Sequence, residues 1–167
     1  HDVKIEESPL WMKRRLNLVG IGAISNVVDI TNYILKELGQ PMHAFDYTTL
    51  EGDAINVRRA TEGEKIVTLD EDELTLTTEN MLICDGVKPV ALAGVMGGLN
   101  SEIKDTTSTV LFESAKFARD NIRRTSRAVG KSSDSSARYA KGVDEYSTVM
   151  ALKRACHLIE ELGCGKV

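Results

Sequence analysis

Cysteine is scarce in this sequence, and no two cysteines are spaced to act as a unit. There are three, Cys84, Cys156 and Cys164. None lies in a C-x-x-C pair, and an odd number argues against a disulfide framework. His157 adjoins Cys156, but neighbours on a helix point about 100° apart and rarely share a metal. The thiols therefore read as structural, and no metal site is expected. Long apolar runs are also missing: none approaches the roughly 20 residues that a membrane helix needs. The N-terminus lacks the basic-then-apolar layout of a secretory signal. Together these absences lead to the expectation of a cytoplasmic protein without a membrane anchor. An initiator methionine is absent too, since His1 precedes Asp2 directly, which leads to the expectation of a piece of a longer chain.

What is present is ordinary in bulk and uneven in detail. Apolar residues make up 42% and charged residues 28% of 167 positions, the composition of a globular protein with a proper core. That length suits one domain or two closely merged modules. The net charge is −4, yet Arg119 to Lys141 holds seven basic residues against Asp120 and Asp134. That segment carries +5 and the remainder −9. An acidic chain with one basic segment points to a local anionic contact more than the total does.

Helical signals flank a strand-rich middle. Ser8-Pro9 reads as an N-cap with proline at the first helical position, opening a helix through Trp11 and Leu16 that stops near Gly20. A second helix is expected over Asn26–Leu38, with Val27, Ile30, Ile34 and Leu38 on one face. Gly39-Gln40-Pro41 ends it, because glycine takes the left-handed cap and proline cannot continue the ladder. Strands are expected at Ala54–Arg59, Lys65–Leu69, Leu74–Thr77, Met81–Cys84, Pro89–Val95 and Thr109–Ala115. Asp70–Glu73 reads as a solvated hairpin tip. Helical pattern returns at Phe117–Val129 and Glu145–Leu162. This order implies an α+β fold, a β-rich core covered by flanking helices.

Two phosphate-binding motifs fail on inspection. Gly130-Lys131-Ser132 resembles the end of a P-loop, but that motif needs glycine five residues earlier, where Thr125 stands, and a basic helix precedes it. Ala93-Gly94-Val95-Met96-Gly97-Gly98 lacks dinucleotide spacing. It reads either as a strand end where backbone approaches something closely, or as a plain turn. His43, among apolar neighbours, reads on its own as a packing residue more readily than as a ligand. Thr31 and Asn32 occupy helix positions for which both have mediocre propensity, which hints at specific hydrogen bonds. Glu113 stands in a strand beside Leu111 and Phe112, where an acid is disfavoured unless it has a partner. Alternation puts it on the face of Leu111 and Ala115, read as the inward one. Arg119, Arg123 and Arg127 repeat at i, i+4 and i+8, with Arg124 and Lys131 alongside. A solvated face is the plain reading, but acids for i, i+4 pairing are almost absent, which favours contact with a polyanion.

Taken together, SPLWMKRRL (8–16), SNVVDITNYILKELGQPMHAFD (25–46), ALAGVMGGLNSEI (91–103), VLFESAKF (110–117) and SSDSSARYAKGVD (132–144) resemble the beta subunit of bacterial phenylalanyl-tRNA synthetase. The resemblance is to its editing domain, the third and fourth modules of that subunit, so residues 1–167 are expected to form a single editing domain. It implies a three-layer α+β domain with a β-sandwich of unusual topology flanked by helices. It implies hydrolysis of tyrosine wrongly attached to tRNA(Phe), or, in the alternative, a non-catalytic module that docks tRNA or braces the synthetase.

By motif, the resemblance carries pocket roles to His43, to Thr31 and Asn32, to Gly94, Gly97 and Gly98, to Glu113, and to Ser133 and Ser135. Glu113 would accept a hydrogen bond from the phenol of tyrosine, and His43 would orient substrate or move a proton. Arg119, Arg123, Arg127 and Lys131 would meet nucleic acid. Alanine is common in the family where Ser135 stands, and glutamate where Ala140 stands, departures that bear on fine specificity. The bond broken is an activated ester, so no cofactor is implied for the domain, while ATP and magnesium are implied for the whole enzyme. The implied partners are mischarged aminoacyl-tRNA(Phe), tyrosine, and the alpha subunit in a heterotetramer with the full beta chain.

Overall fold

A computed structural model describes residues 1–167. In chain order the elements are α1 (Leu10–Leu18), α2 (Asn26–Leu38), β1 (Met42–Asp46), β2 (Asn56–Arg59), β3 (Lys65–Val67), β4 (Glu73–Thr75), β5 (Met81–Cys84), β6 (Pro89–Leu92), β7 (Met96–Gly97), β8 (Val110–Ser114), α3 (Arg119–Ala128), α4 (Asp134–Lys141) and α5 (Ser147–Glu161). The fold is α+β, with five helices and several antiparallel sheets, none closed into a barrel. No helix is long and apolar enough to cross a membrane. The chain divides into two compact units, one of residues 1–48, 103–115 and 143–167, the other of 49–102 and 116–142.

The first unit is built on α2. Its Val27, Ile30 and Ile34 are fully buried against Met12 and Leu16 of α1 and Ala151, Ala155 and Leu158 of α5. Alanines at i and i+4 on α5 let the two helix backbones come close. Each buried aliphatic side chain contributes about 1.5–3 kcal/mol of transfer free energy. Gly39 ends α2 in the left-handed conformation, φ 73°, donating its N–H to the Leu35 carbonyl. The chain then enters β1, which pairs antiparallel with β8. Met42 and Ala44 join the helical core, and Val110 and Phe112 pack against it.

The helix entry differs from the sequence expectation. Pro9 holds the cap position with extended backbone, and α1 begins one residue later. Ser8 caps nothing; its hydroxyl donates to the buried Asp29 carboxylate at 2.6 Å. That carboxylate also accepts the Ile24 N–H at 2.8 Å, so Asp29 ties the segment before α1 to the end of the α1–α2 connection. The strands β1 and β7 and the helix α4 were not expected; the strand expected over Pro89–Val95 stops at Leu92, where the chain turns before β7. The other strands and helices stand near the expected places, with ends displaced by a few residues.

In the second unit, β2, β5, β6 and β7 form an antiparallel sheet in that order, and β3 and β4 form a hairpin. Leu82, Ile83, Val90 and Leu92 are buried in the sheet, and Leu76 and Val95 beside it. The helices α3 and α4 pack together, burying Ile122 and Tyr139. Arg58 forks onto Glu64 through two hydrogen bonds of 2.9 and 2.7 Å, which holds the Glu64 carboxyl down to about 2.

One polar residue joins three elements of the first unit. Gln40 is fully buried and makes three hydrogen bonds. Its amide nitrogen donates to the carbonyls of Pro41 and Ala115, at 3.0 and 2.8 Å, and its oxygen accepts from the Ser147 hydroxyl at 2.7 Å. It thereby ties the start of β1 to the end of β8 and the first turn of α5. Gln40→Ala leaves buried polar groups unpaired, each worth about 1–3 kcal/mol. Denaturant unfolding is expected to show a loss of about 2–4 kcal/mol for Gln40→Ala and about 1 kcal/mol for Ser147→Ala.

Candidate functional site

The β1–β8 register places His43 directly opposite Glu113. Opposed residues of an antiparallel pair project to the same face, with Cβ atoms about 4.5–5.5 Å apart. Alternation assigns Met42, Ala44, Val110 and Phe112 to the face packed on α2 and α5. His43, Phe45, Leu111 and Glu113 occupy the other face. Glu113 does share its face with Leu111, as the sequence implied, but the core of the first unit lies on the opposite one.

Neither member of this pair is compensated. Nε2 of His43 is buried and has no hydrogen-bond partner. The ring stands edge-on to Phe45, with centroids 4.5 Å apart and planes at 79°. Loss of water lowers its pKa to about 4. Glu113 takes part in no hydrogen bond or ion pair, and burial raises its pKa to about 7. Both shifts come from desolvation, which disfavours the charged form of either group. Near neutral pH the histidine is therefore neutral and the carboxyl titrates. The arrangement offers a dry acceptor or donor on one strand and a hydrogen-bonding carboxyl across from it.

The α2 pair is divided. Thr31 is buried, and its hydroxyl donates to the Val28 carbonyl one turn back at 2.7 Å. Its proton is engaged within the helix, the usual back-bond of a helical threonine, which leaves the oxygen only as an acceptor. Asn32 is half-buried and its amide makes no hydrogen bond within the chain.

The remaining expected positions lie in the second unit. Gly94, with φ 67°, makes the turn between β6 and β7. A Cβ there would lie 2.8 Å from Ile122 and Phe117 and 3.2 Å from Tyr139. Gly97 pairs with Ala91 in the sheet. A Cβ on Gly98 would sit 2.5 Å from the Val90 carbonyl oxygen. Both open readings of this loop thus hold in part: it is a turn, and the close approach at Gly94 and Gly98 is to the chain's own atoms. Ser133 caps α4, accepting the Ser136 N–H at 3.0 Å and donating to the Val95 carbonyl at 2.8 Å. Its hydroxyl is engaged in the fold, a capping box completed by Ser136. Ser135 is half-buried with its hydroxyl unpaired.

The four basic positions also separate. Arg119, Arg123 and Arg127 are exposed on α3. Lys131 instead forms ion pairs with Asp70 and Asp72 of the β3–β4 hairpin, and its side chain is 13% exposed. It follows a helix and not a strand, which removes the P-loop resemblance, and its charge is engaged by the hairpin tip that the sequence left solvated. No three His, Cys, Asp or Glu side chains converge to hold a metal ion. Residues that sequence reasoning missed are Gln40 and Ser147, whose signal was faint: a glutamine between glycine and proline reads as part of a helix stop.

A model described as the B3/4 domain matches residues 1–164, and the chain belongs to that family. Its relatives are phenylalanine–tRNA ligase beta subunits. The chain is 54% identical to that of Syntrophus aciditrophicus, over 99% of its own length and 21% of the relative. It is 52% identical to one from Bacillus cereus and 46% to one from Clostridium acetobutylicum, with coverage of 99% of the chain in both. The chain spans about a fifth of the length of these relatives.

The opposed shifts of the pair predict a pH signature. Glu113 keeps its proton up to about 7 in the native state but ionises near its model value of 4.5 when unfolded, so its contribution is full below 4.5 and is lost as pH rises through about 7. His43 stays neutral down to about 4 against 6.5 unfolded, so its contribution is full above 6.5 and is lost as pH falls through about 4. Where these windows overlap, from 4.5 to 6.5, the two slopes offset. Glu113→Gln is expected to be more stable than the parent at pH 8 by about 2–4 kcal/mol, and to lose stability steadily from pH 6.5 to 4, in denaturant titrations across pH.

Proposed function

We propose that this chain is the editing domain of a phenylalanyl-tRNA synthetase beta subunit and hydrolyses tyrosine wrongly joined to tRNA(Phe). The observation that carries the reading is the uncompensated pair His43–Glu113, on a chain with kinship to phenylalanine–tRNA ligase beta subunits. Fold stability alone gives no reason to keep two half-buried titratable side chains unpartnered and opposite one another.

Phenylalanine and tyrosine differ by one hydroxyl. A site that fits the ring rejects the larger amino acid imperfectly, so a second, hydrolytic site that prefers the hydroxyl removes the error. Glu113 supplies that preference. Ionised, it accepts a charge-assisted hydrogen bond from the phenol. With phenylalanine bound, the desolvated carboxyl gains no partner. A pKa near 7 leaves both forms present at neutral pH, and the ionised form discriminates more strongly.

The reaction is ester hydrolysis. Water adds to the ester carbonyl and the bond to the ribose oxygen breaks; one proton of the water goes to the ribose oxygen, the other to solvent, and tyrosine leaves as its carboxylate. With a pKa near 4, His43 is protonated in roughly one molecule in a thousand at neutral pH, and so it is a poor acid. Its buried Nε2 suits the orientation of a substrate hydroxyl or of the attacking water. Within the first unit, Asn32 carries an amide without a partner in the chain, whereas the Thr31 hydroxyl proton is engaged within α2. ATP and magnesium belong to the aminoacylation reaction of the whole synthetase, and this chain's residues supply no donor set for a divalent ion. The same reading makes the alpha subunit and tRNA(Phe) the partners of the longer chain.

The test is release of tyrosine from tyrosyl-tRNA(Phe) by the protein and by the synthetase that contains it. Release is expected, and failure of both points to a docking or bracing module. Glu113→Ala is expected to lower the tyrosine-over-phenylalanine ratio about 10- to 100-fold, the worth of one hydrogen bond to a charged group. In the parent that ratio is expected to rise through about pH 7, and in Glu113→Gln to be flat. A ratio insensitive to both changes removes the hydroxyl-reading role.

A further inference from the structure

The two sides of α3 differ in chemistry. Asn121, Ile122 and Thr125 are buried. The Asn121 amide donates to the Glu79 carbonyl at 2.9 Å, and the Asn80 amide donates to the Thr125 hydroxyl at 3.3 Å. Those contacts fix the rotation of the helix. Arg119, Arg123, Arg124 and Arg127 consequently point outward and are exposed. The one acid among them is Asp120, itself 84% exposed and 3.9 Å from Arg123. The guanidinium groups of Arg119, Arg124 and Arg127 make no hydrogen bond or ion pair within the chain.

A solvated helix face normally alternates charge sign so that i, i+4 neighbours attract. Here Arg119, Arg123 and Arg127 are like-charged at that spacing, an arrangement that costs a few tenths of a kcal/mol per pair. The cost is sustained on a well-anchored helix. Just beyond its end, Lys131 is held by Asp70 and Asp72, and the Ser126 hydroxyl donates to the Lys131 carbonyl. At the other end the Arg119 stem lies against Gly142, where a Cβ would be 3.1 Å from its Cδ. Lys131 therefore anchors the surface and is not part of it. Three guanidinium groups about 6 Å apart along the helix form a line of planar donors suited to successive phosphates.

We propose that the outward face of α3 docks the sugar–phosphate backbone of an RNA strand, with Arg119, Arg123 and Arg127 each meeting a phosphate and Arg124 flanking them. The choice of RNA among polyanions rests on the editing reading above; the arginine line itself does not.

The experiment is fluorescence anisotropy of labelled tRNA(Phe) titrated with the protein from about 50 to about 200 mM salt. The parent is expected to bind with log K falling linearly in log salt. The variant Arg119→Gln/Arg123→Gln/Arg127→Gln is expected to bind more than tenfold more weakly at the lower salt. Its slope is expected to be shallower by about 2, because each phosphate contact on a single strand contributes about 0.7. Circular dichroism checks that the variant is folded; if it is not, Arg123→Gln/Arg127→Gln is expected to reduce the slope by about 1.4. An unchanged slope overturns the proposal. So does parent binding to polyglutamate, or to vesicles rich in phosphatidylserine, as tight as binding to RNA. A protein that deacylates tyrosyl-tRNA but binds RNA independently of these arginines overturns the docking face alone. One that binds through them without deacylating overturns the editing reading alone.

Discussion

Backbone hydrogen bonds between β1 and β8 join two segments that the chain separates by most of the second unit. A two-stranded ribbon alone is marginal in water. This one persists because one face rests on α2 and α5 and because Gln40 closes its end against Ala115 and Ser147. Register matters as much as pairing, since a slip of one residue would exchange the faces of every side chain. In β1 it would drive His43 into the helical core, away from Glu113, and expel Met42 and Ala44. The core therefore selects the register, and the register sets the histidine opposite the acid.

That pair is electrostatically odd. A histidine and a carboxyl in contact commonly stabilise each other as ions, raising one pKa and lowering the other. Here both shifts run the opposite way, because water is excluded and no ion pair replaces it. The result is two neutral groups near neutral pH, one of them at the edge of ionisation. On the proposed reading, such a site would meet a hydroxyl without first having to break an internal salt bridge.

Much of this was legible where the determinants are local. The helix α2 announced itself through Val27, Ile30 and Ile34 and through the Gly39–Pro41 stop, all within one stretch of chain. Glu113 stood out because an acid in an apolar strand needs a reason. What escaped notice depended on distant partners. Met-His-Ala-Phe-Asp has no β-branched residue and is a strand only because β8 lies beside it. The serine-rich start of α4 looks like a loop until Ser133 and Ser136 are seen capping each other. The pocket roles carried to Thr31 and Ser133 do not reveal that backbone carbonyls take their hydroxyl protons, because those carbonyls are placed only by the fold. Lys131 looked unopposed because its acids lie some sixty residues upstream.

The first unit is assembled from three separate lengths of chain, with residues 49–102 and 116–142 looping out between them. Such connectivity weighs on folding rate more than on final stability. The entropy of closing a loop grows only as the logarithm of its length, about 0.6 kcal/mol per doubling. But closure precedes any reward from the contacts it brings, so long-range pairing is slow. Until residues 110–114 arrive, β1 is an unpaired edge with apolar Met42, Ala44 and Phe45 in view. During synthesis on the ribosome that interval lasts while the whole of 49–109 emerges, and an edge left open for so long invites pairing with other chains.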